Sequence, residues 1–586
     1  MKKFVPLLLL ALTLLAAAPA GAQPSPGTDV PNADGWPTVA LPALDLAAPG
    51  NASTAAPQLD DALATLAAQA PERAAPTAET LGLRVEDGQV QARLVVAPGG
   101  EAAARAAVAA AGGRVTGALG DALQVWLPPT ALTAVATAAG VAALGAPDYV
   151  QLAEVTSEGV ARADADAWHA AGLRGQGVRI AIIDAGFQGY NAKLGTELPA
   201  GVVVKNFVDG QPDAEVDATT AHGTACAEIV HDMAPAAELY LLKIATDIDL
   251  DQAVTYAIGQ GVDVISTSLT FLNVTPGDGT GKFATMATRA RNAGVLWVTA
   301  AGNYREQHWS GQWADADNDG LLDYAPGVEV NVFGPGNGTA YQIPAGVALS
   351  LSIRWDDWTE VRQDLRLLLL RYNGTRFVIV ASANNPQTGQ FGQRPTERVN
   401  FVTNGSAAVY GVAIQRVSGN RAVYLHLLTP NRELDRRVTA MSLGDLADAP
   451  DALTVGAVSI NSPYAAADYS SEGPTSGPGG APTGGRLKPD LSAYAGVSTA
   501  SYGTRAFSGT SAATPHVAGA AALARNRRPD YGPAALQFYL EEMSIDQGPA
   551  CADTRYGYGR LFLRLPAEPA GNKLFLPSLF RSAERC

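Results

Sequence analysis

Cysteine is scarce. The 586 residues carry three, Cys226, Cys551 and Cys586, so no disulfide framework can be the main source of stability and the three cannot all pair. Cys551 and Cys586 could pair with each other near the C-terminus. Cys226 lies in an apolar helical stretch and reads as a small buried side chain, with a catalytic thiol as the alternative. Positive charge is also in deficit, 41 Lys and Arg against 56 Asp and Glu for a net charge of −15. No excess of cations exists to neutralise phosphates, which argues against nucleic acid as a partner. Long apolar runs are missing except for ~15 residues from Phe4 to Ala18, short of the ~20 that span a bilayer. The 61 glycines and 38 prolines follow no Gly-X-Y period, which excludes collagen. With 47% apolar and 17% charged residues the chain is too greasy for disorder and ample for a large core.

What is present divides the chain. Lys2 and Lys3, the Phe4–Ala18 run and the small residues Ala20-Gly21-Ala22 form a secretory signal peptide over 1–22, so a secreted, extracellular product with no stable membrane anchor is expected. Residues 23–82 are rich in Ala, Pro, Ser and Thr and read as a linker with at most one marginal helix. Over 83–156 a small α+β unit of βαββαβ type is expected, with strands at Val90–Val96 and Ala122–Leu127, helices at Glu101–Ala111 and Thr130–Leu144, and a last strand at Tyr149–Leu152. From Val178 the texture changes to short β-branched runs (Val178–Ile183, Leu239–Ile244, Val262–Ile265, Val295–Ala300) alternating with helical stretches (Thr224–Asp232, Asp249–Gln260, Phe283–Ala293). This is the α/β pattern of a mostly parallel sheet with helices on both faces. It occupies 157–304 and resumes at Leu453–Val458 within 440–565. The intervening 305–439 carries strand-like runs with Asn-Gly and Ser-Gly turns and reads as an inserted all-β sandwich. Residues 566–586 form a tail in which Leu574–Phe580 is too short to anchor.

Three residues suit nucleophilic catalysis together better than singly. Asp184 ends the Val178–Ile183 strand, where open α/β sheets place their sites. His222 precedes Gly223-Thr224 and an apolar helix. Ser511 lies in Ser508-Gly509-Thr510-Ser511-Ala512-Ala513-Thr514-Pro515-His516 at the start of an Ala-rich helix. Each has a bland alternative: a turn-capping Asp, a core His, an N-cap Ser. His516 is unlike a base for Ser511, because five positions along one helix puts it on another face. The chain order Asp, His, Ser is one of the known orders of this triad geometry. With Ala300-Ala301-Gly302-Asn303, the motifs Ile182-Ile183-Asp184-Ala185-Gly186, His222-Gly223-Thr224 and Gly509-Thr510-Ser511-Ala512-Ala513-Thr514-Pro515 resemble the subtilisin-like serine proteases over about 157–304 and 440–565.

That resemblance implies an endopeptidase in which Ser511 attacks a peptide carbonyl, His222 carries its proton, Asp184 orients His222, and Asn303 donates to the oxyanion. It also implies that 83–156 is an inhibitory, fold-assisting propeptide, self-cleaved near Ser157, and that Ser268, Leu269 and Thr270 line the substrate cleft. Thr270 departs from the family, where glycine is usual. Protein or peptide is then the substrate, and a monomer is expected. A binding or adhesion protein on a degenerate scaffold is the rival reading. A serine esterase is a further one, against which stands the lack of a Gly-x-Ser-x-Gly elbow around Ser511. Separately, Asp315, Asp317, Asp319, Leu321 (through its carbonyl) and Asp323 occupy alternate positions of an EF-hand-type calcium loop with Gly320 at its sixth place. Pro326 stands where that loop needs a glutamate, and a solvated acidic turn is the alternative.

Overall fold

Alternate side chains of the strand Arg179–Asp184 enter opposite cores: Ile180 and Ile182 join one apolar cluster, Ala181 and Ile183 the other. A strand covered on both faces has no need of polar alternation, which is why these runs are continuously apolar. The computed structural model describes residues 38–40, 59–69, 74, 76–78, 81–148, 151–152 and 158–565. The expected leader, Tyr149, Ser157, Cys586 and the 566–586 tail lie outside the described residues. Seven parallel strands form the central sheet, in the order Leu491–Ala495, Ala452–Ser459, Leu296–Ala300, Val264–Thr267, Arg179–Asp184, Glu238–Lys243 and Val203–Asn206. Helices His222–Met233 and Thr510–Arg527 pack on one face, Asp247–Gly259 and Lys282–Asn292 on the other. Among the described residues no helix is long and apolar enough to cross a membrane.

Between Asn303 and the return to the parallel sheet stand two four-stranded antiparallel sheets. One orders His308–Gln312, Tyr424–Leu428, Ala348–Trp355 and Thr396–Val402; the other orders Asn331–Val332, Tyr410–Ser418, Asp364–Tyr372 and Phe377–Ala383. Leu351, Ile353, Trp355, Leu367, Leu369 and Ile414 fill the core between them. This sandwich is fixed to the parallel-sheet domain by the buried pair Arg354–Asp445 at 2.8 Å and by Asn273 Nδ2, which donates to the Ser352 carbonyl at 2.8 Å.

The N-terminal unit departs from expectation in three places. Residues 59–82, read as linker, supply Leu59, Leu63, Leu66 and Ala78 to its core, with Asp60 capping the helix Asp61–Ala67. The stretch read as one helix over Thr130–Leu144 is a short helix, Leu132–Ala136, followed by the strand Val141–Gly145. Gly140, at φ 86°, turns the chain between them. The run of alanines hid that break. Gln151–Leu152 is a strand, but it leaves this unit and pairs with Leu269–Thr270 instead.

The helices that carry His222 and Ser511 touch at Gly519, where a Cβ would lie 2.4 Å from Met233 Cβ. Gly519→Val should therefore push them apart. We expect a loss of roughly 1–3 kcal/mol in chemical denaturation, the usual cost of overpacking a tight core, with a matching fall in thermal midpoint.

Candidate active site

Asp184 ends its strand fully buried, and Gly223 lets the next helix start against it: a Cβ at Gly223 would meet Asp184 Cβ at 2.7 Å. His222, the first residue of that helix, is 1% exposed and its Nδ1 lies 2.7 Å from Asp184 Oδ2. A buried carboxylate needs a donor, and the imidazole N–H is one, which fixes the ring's tautomer and orientation. Cys226 sits one turn further. Its Sγ is within 4.8 Å of the Asp184 and His222 ligand atoms and 3.9 Å from the Ser511 carbonyl. The three segments therefore converge on it. Burial, with Asp184 nearby, pushes the Cys226 thiol well above its ordinary range, so it stays a neutral packing group and a thiolate nucleophile is disfavoured.

Ser511 is the second residue of the helix Thr510–Arg527, where first-turn N–H groups lack helical acceptors and the dipole favours negative charge. Pro515, four residues on, has no N–H to give the Ser511 carbonyl. Ser268 Oγ donates to that carbonyl at 2.9 Å, and Ser511 Oγ donates to the Ser268 carbonyl at 2.9 Å. The sequence reading had Ser268 only as cleft lining. The structure makes it a reciprocal clamp on Ser511, a role whose signal was the proline at the fourth position after the serine.

Asn303 follows the strand Leu296–Ala300. Its Oδ1 accepts from the Thr510 backbone N–H at 3.0 Å and from Thr510 Oγ1 at 3.1 Å, while Gly302 N–H donates to Thr510 Oγ1 at 3.1 Å. With the carbonyl end so occupied, the amide end is left to donate beside Ser511. Thr510 is the residue that sequence reasoning passed over, although it sits inside the motif. His516 does not serve Ser511. Its Nδ1 faces the Ala512 carbonyl at 2.7 Å, and Gly159 N–H donates to its Nε2 at 3.1 Å. Burial pushes its pKa down to about 4, so it is a neutral tie between the helix and the start of the domain.

Leu269 and Thr270 are both buried, and they pair antiparallel with Leu152 and Gln151. The end of the N-terminal unit therefore lies along the strand that leads from Ser268. Of the expected calcium ligands, the carboxylates of Asp315, Asp317 and Asp319 come within 4.8 Å of one another. Asp323 Oδ2 accepts instead from the Ala316 N–H at 2.8 Å, and the Leu321 N–H donates to Asp319 Oδ1 at 2.8 Å. Glu329, three residues past Pro326, is a buried acid that the sequence reading missed. Burial together with Asp319, Asp317, Asp323 and Asp315 pushes its carboxyl up to about 7.

A serine at a helix N-terminus, a carboxylate-held imidazole and an asparagine tied to the same helix start are the kinds of group that an acyl-transfer site uses. The chain belongs to the subtilase family, whose model matches residues 175–354 and 316–559. It is thus a relative of subtilisin-type serine peptidases. It is 27% identical over 258 residues to the thermostable alkaline protease of Halalkalibacterium halodurans, covering 36% of this chain and 68% of that protein. To subtilisin E of Bacillus subtilis it is 26% identical over 265 residues, 37% of this chain and 66% of that protein. The CspB protease of Clostridium perfringens overlays with a TM-score of 0.46 at 16% identity, over 68% of this chain and 94% of that one.

Thr510→Val removes the hydroxyl that holds Asn303 and keeps the shape. Peptide hydrolysis should lose roughly tenfold in kcat with KM little changed, and stopped assays over a substrate range would separate the two.

Proposed function

We propose that this protein is a secreted subtilisin-like serine endopeptidase, made as a zymogen that processes itself. The observation that carries the reading is the buried 2.7 Å contact of His222 with Asp184 beside a serine at a helix N-terminus. Ser511 Oγ attacks the scissile carbonyl, and His222 takes the proton and returns it to the leaving amine. Asp184 steadies the imidazolium. The oxyanion that forms is met by the Ser511 backbone N–H and the Asn303 side-chain amide. Water then releases the acyl group from Ser511. Asn303→Ala should lower kcat by roughly 10²–10³, the usual loss for one oxyanion donor. Ser511→Ala should abolish casein hydrolysis and leave the full-length mass unchanged where the wild type is shortened.

The zymogen reading is supported by how the N-terminal unit is held. Asp148 receives Lys282 of the parallel-sheet domain at 2.5 Å, Arg394 of the sandwich through both nitrogens at 2.9 and 3.1 Å, and Arg93 of its own unit at 3.8 Å. Burial alone would raise the Asp148 carboxyl, but Arg394, Lys282 and Arg93 hold it well below the usual range. Gln124 bonds both Thr246 and Asp249 at the start of the helix Asp247–Gly259. Removing one partner of such a buried cluster leaves charge uncompensated. Arg394→Ala should thus loosen the pro-segment and raise activity before processing, measured on a Ser511-competent chain at early times.

A structural calcium ion fits the insert. Three carboxylates converge at Asp315, Asp317 and Asp319, and the buried Glu329 lies near enough for their charge to raise its carboxyl. Such a cluster is relieved by a hard cation with oxygen ligands. When bound, calcium would stiffen the start of the sandwich and take no part in the chemistry. A chelator should lower stability by about 2–3 kcal/mol relative to calcium at roughly a hundredfold above its dissociation constant, and Asp315→Asn with Asp317→Asn should remove that difference.

A further inference from the structure

Asp148 carries a carboxylate that two other parts of the chain grip. It takes both terminal nitrogens of Arg394, from the loop before the sandwich strand Thr396–Val402, at 2.9 and 3.1 Å. It also takes the ammonium of Lys282, the first residue of the helix Lys282–Asn292, at 2.5 Å. The backbone at the same residue is held as well: the Asp247 N–H, at the start of the helix Asp247–Gly259, donates to the Asp148 carbonyl at 3.2 Å. Both helices begin beside this residue, and their N-terminal dipole ends favour negative charge. A bidentate guanidinium, an ammonium and a backbone donor together make a carboxylate receptor. Its parts come from the sandwich and the parallel-sheet domain; the N-terminal unit adds only Arg93, at 3.8 Å.

The receptor lies on the course of a chain entering the site. Three residues after Asp148, Gln151 pairs antiparallel with Thr270, and Leu152 with Leu269. That strand leads from Ser268, whose carbonyl accepts from Ser511 Oγ at 2.9 Å. A peptide that adds to the strand in the same register brings to Arg394 and Lys282 the residue three places before the one opposite Thr270. Processing takes Asp148 and Arg93 away. Lys282 keeps Asp247 at 2.5 Å, whereas Arg394 loses the carboxylate that held both its nitrogens. Arg398 adds a further cation nearby, its Nη2 spent on the Leu272 carbonyl at 3.1 Å. A half-buried guanidinium deprived of its carboxylate favours a new anion of the same shape.

We infer that Arg394 and Lys282, with the Asp247 N–H, form an acidic-residue subsite of the processed peptidase, which selects Asp or Glu in the substrate three residues before the one paired with Thr270. Asp148 is the first carboxylate to fill the subsite, and a substrate carboxylate takes its place after processing. The inserted sandwich then has a part in substrate choice, because it supplies the bidentate half of the receptor. A substrate amide leaves Arg394 without a counter-charge, and a substrate lysine sets like charges together.

This inference rests on the self-processing peptidase reading, and the experiment keeps the two apart. The wild type is incubated until its N-terminal unit is digested and is then assayed, beside Ser511→Ala, on casein and on quenched peptides X-Tyr-Val-Gln-Leu-Ala-Glu-Val-Thr, with X as Asp, Glu, Asn or Lys. The expected kcat/KM for X as Asp or Glu is roughly tenfold or more above that for Asn, the usual worth of hydrogen bonds to a charged group, with Lys lowest. Arg394→Gln should bring the Asp-to-Asn ratio close to one, and Arg394→Glu should put Lys above Asp. Lys282→Gln, on the other wall of the receptor, should lower the same ratio and serves if the Arg394 variants do not fold. A processed wild type that cuts all four peptides at similar rates, or that digests casein but not the Asp peptide, overturns the subsite and leaves the peptidase reading standing. A ratio unmoved in the folded Arg394 and Lys282 variants does the same. A wild type no more active than Ser511→Ala on casein and on every peptide overturns both readings.

Discussion

The structure depends on one packing constraint: the helix Thr510–Arg527 must run buried across one face of the parallel sheet. Every residue from Thr510 to Ala524 is buried, so its composition is confined to Ala, Gly, Thr, Ser and a few larger side chains that fit the strands and the His222–Met233 helix. That confinement is what makes the site exact in position. A helix with no freedom to slide holds Ser511 at the carboxyl ends of the strands, where Asp184 also ends. The second helix abuts it at Gly519 and begins with His222. The small residues of the motif are thus explained by packing as much as by chemistry.

A second layer of constraint surrounds the first. Thr510 ties Asn303 to the helix start, and Ser268 exchanges hydrogen bonds with Ser511 because Pro515 leaves the Ser511 carbonyl without its helical partner. Further out, Asp148 draws one cation from each of three units. In a chain with net negative charge, placing scarce cations on one buried carboxylate is a directed way to hold the N-terminal unit. It also gives the inserted sandwich a structural reason to lie where it does: its Arg394 and Asn385 face the N-terminal unit, with the Asp61 N–H donating to Asn385 Oδ1 at 2.8 Å.

Much of this was legible in the sequence. The parallel sheet announced itself in runs such as Val178–Ile183, because two-sided burial removes polar alternation, and Asp184, His222, Asn303 and Ser511 lie in short motifs fixed by local backbone geometry. What escaped has long-range causes. Glu329 feels the charge of Asp315, Asp317, Asp319 and Asp323 because the chain folds back past Pro326, with Ala325 bridged to Val328. The closeness of Gly444 to Thr270 spans an entire inserted domain. In the N-terminal unit, alanine-rich composition masked the break at Gly140, since alanine carries no strand or helix period of its own. The substituted glycine at Thr270 was visible as a departure, but the neighbour that it presses against was not.

The central claim is that Ser511 is the nucleophile and that its reactivity comes from His222 held by Asp184. The most direct measurement is labelling of the full-length protein with a fluorophosphonate, followed by peptide mapping in the mass spectrometer. The account predicts one adduct, on Ser511, formed at least about a hundredfold faster than in His222→Ala. An adduct on another residue, or labelling of Ser511 at the same rate without His222, would contradict it.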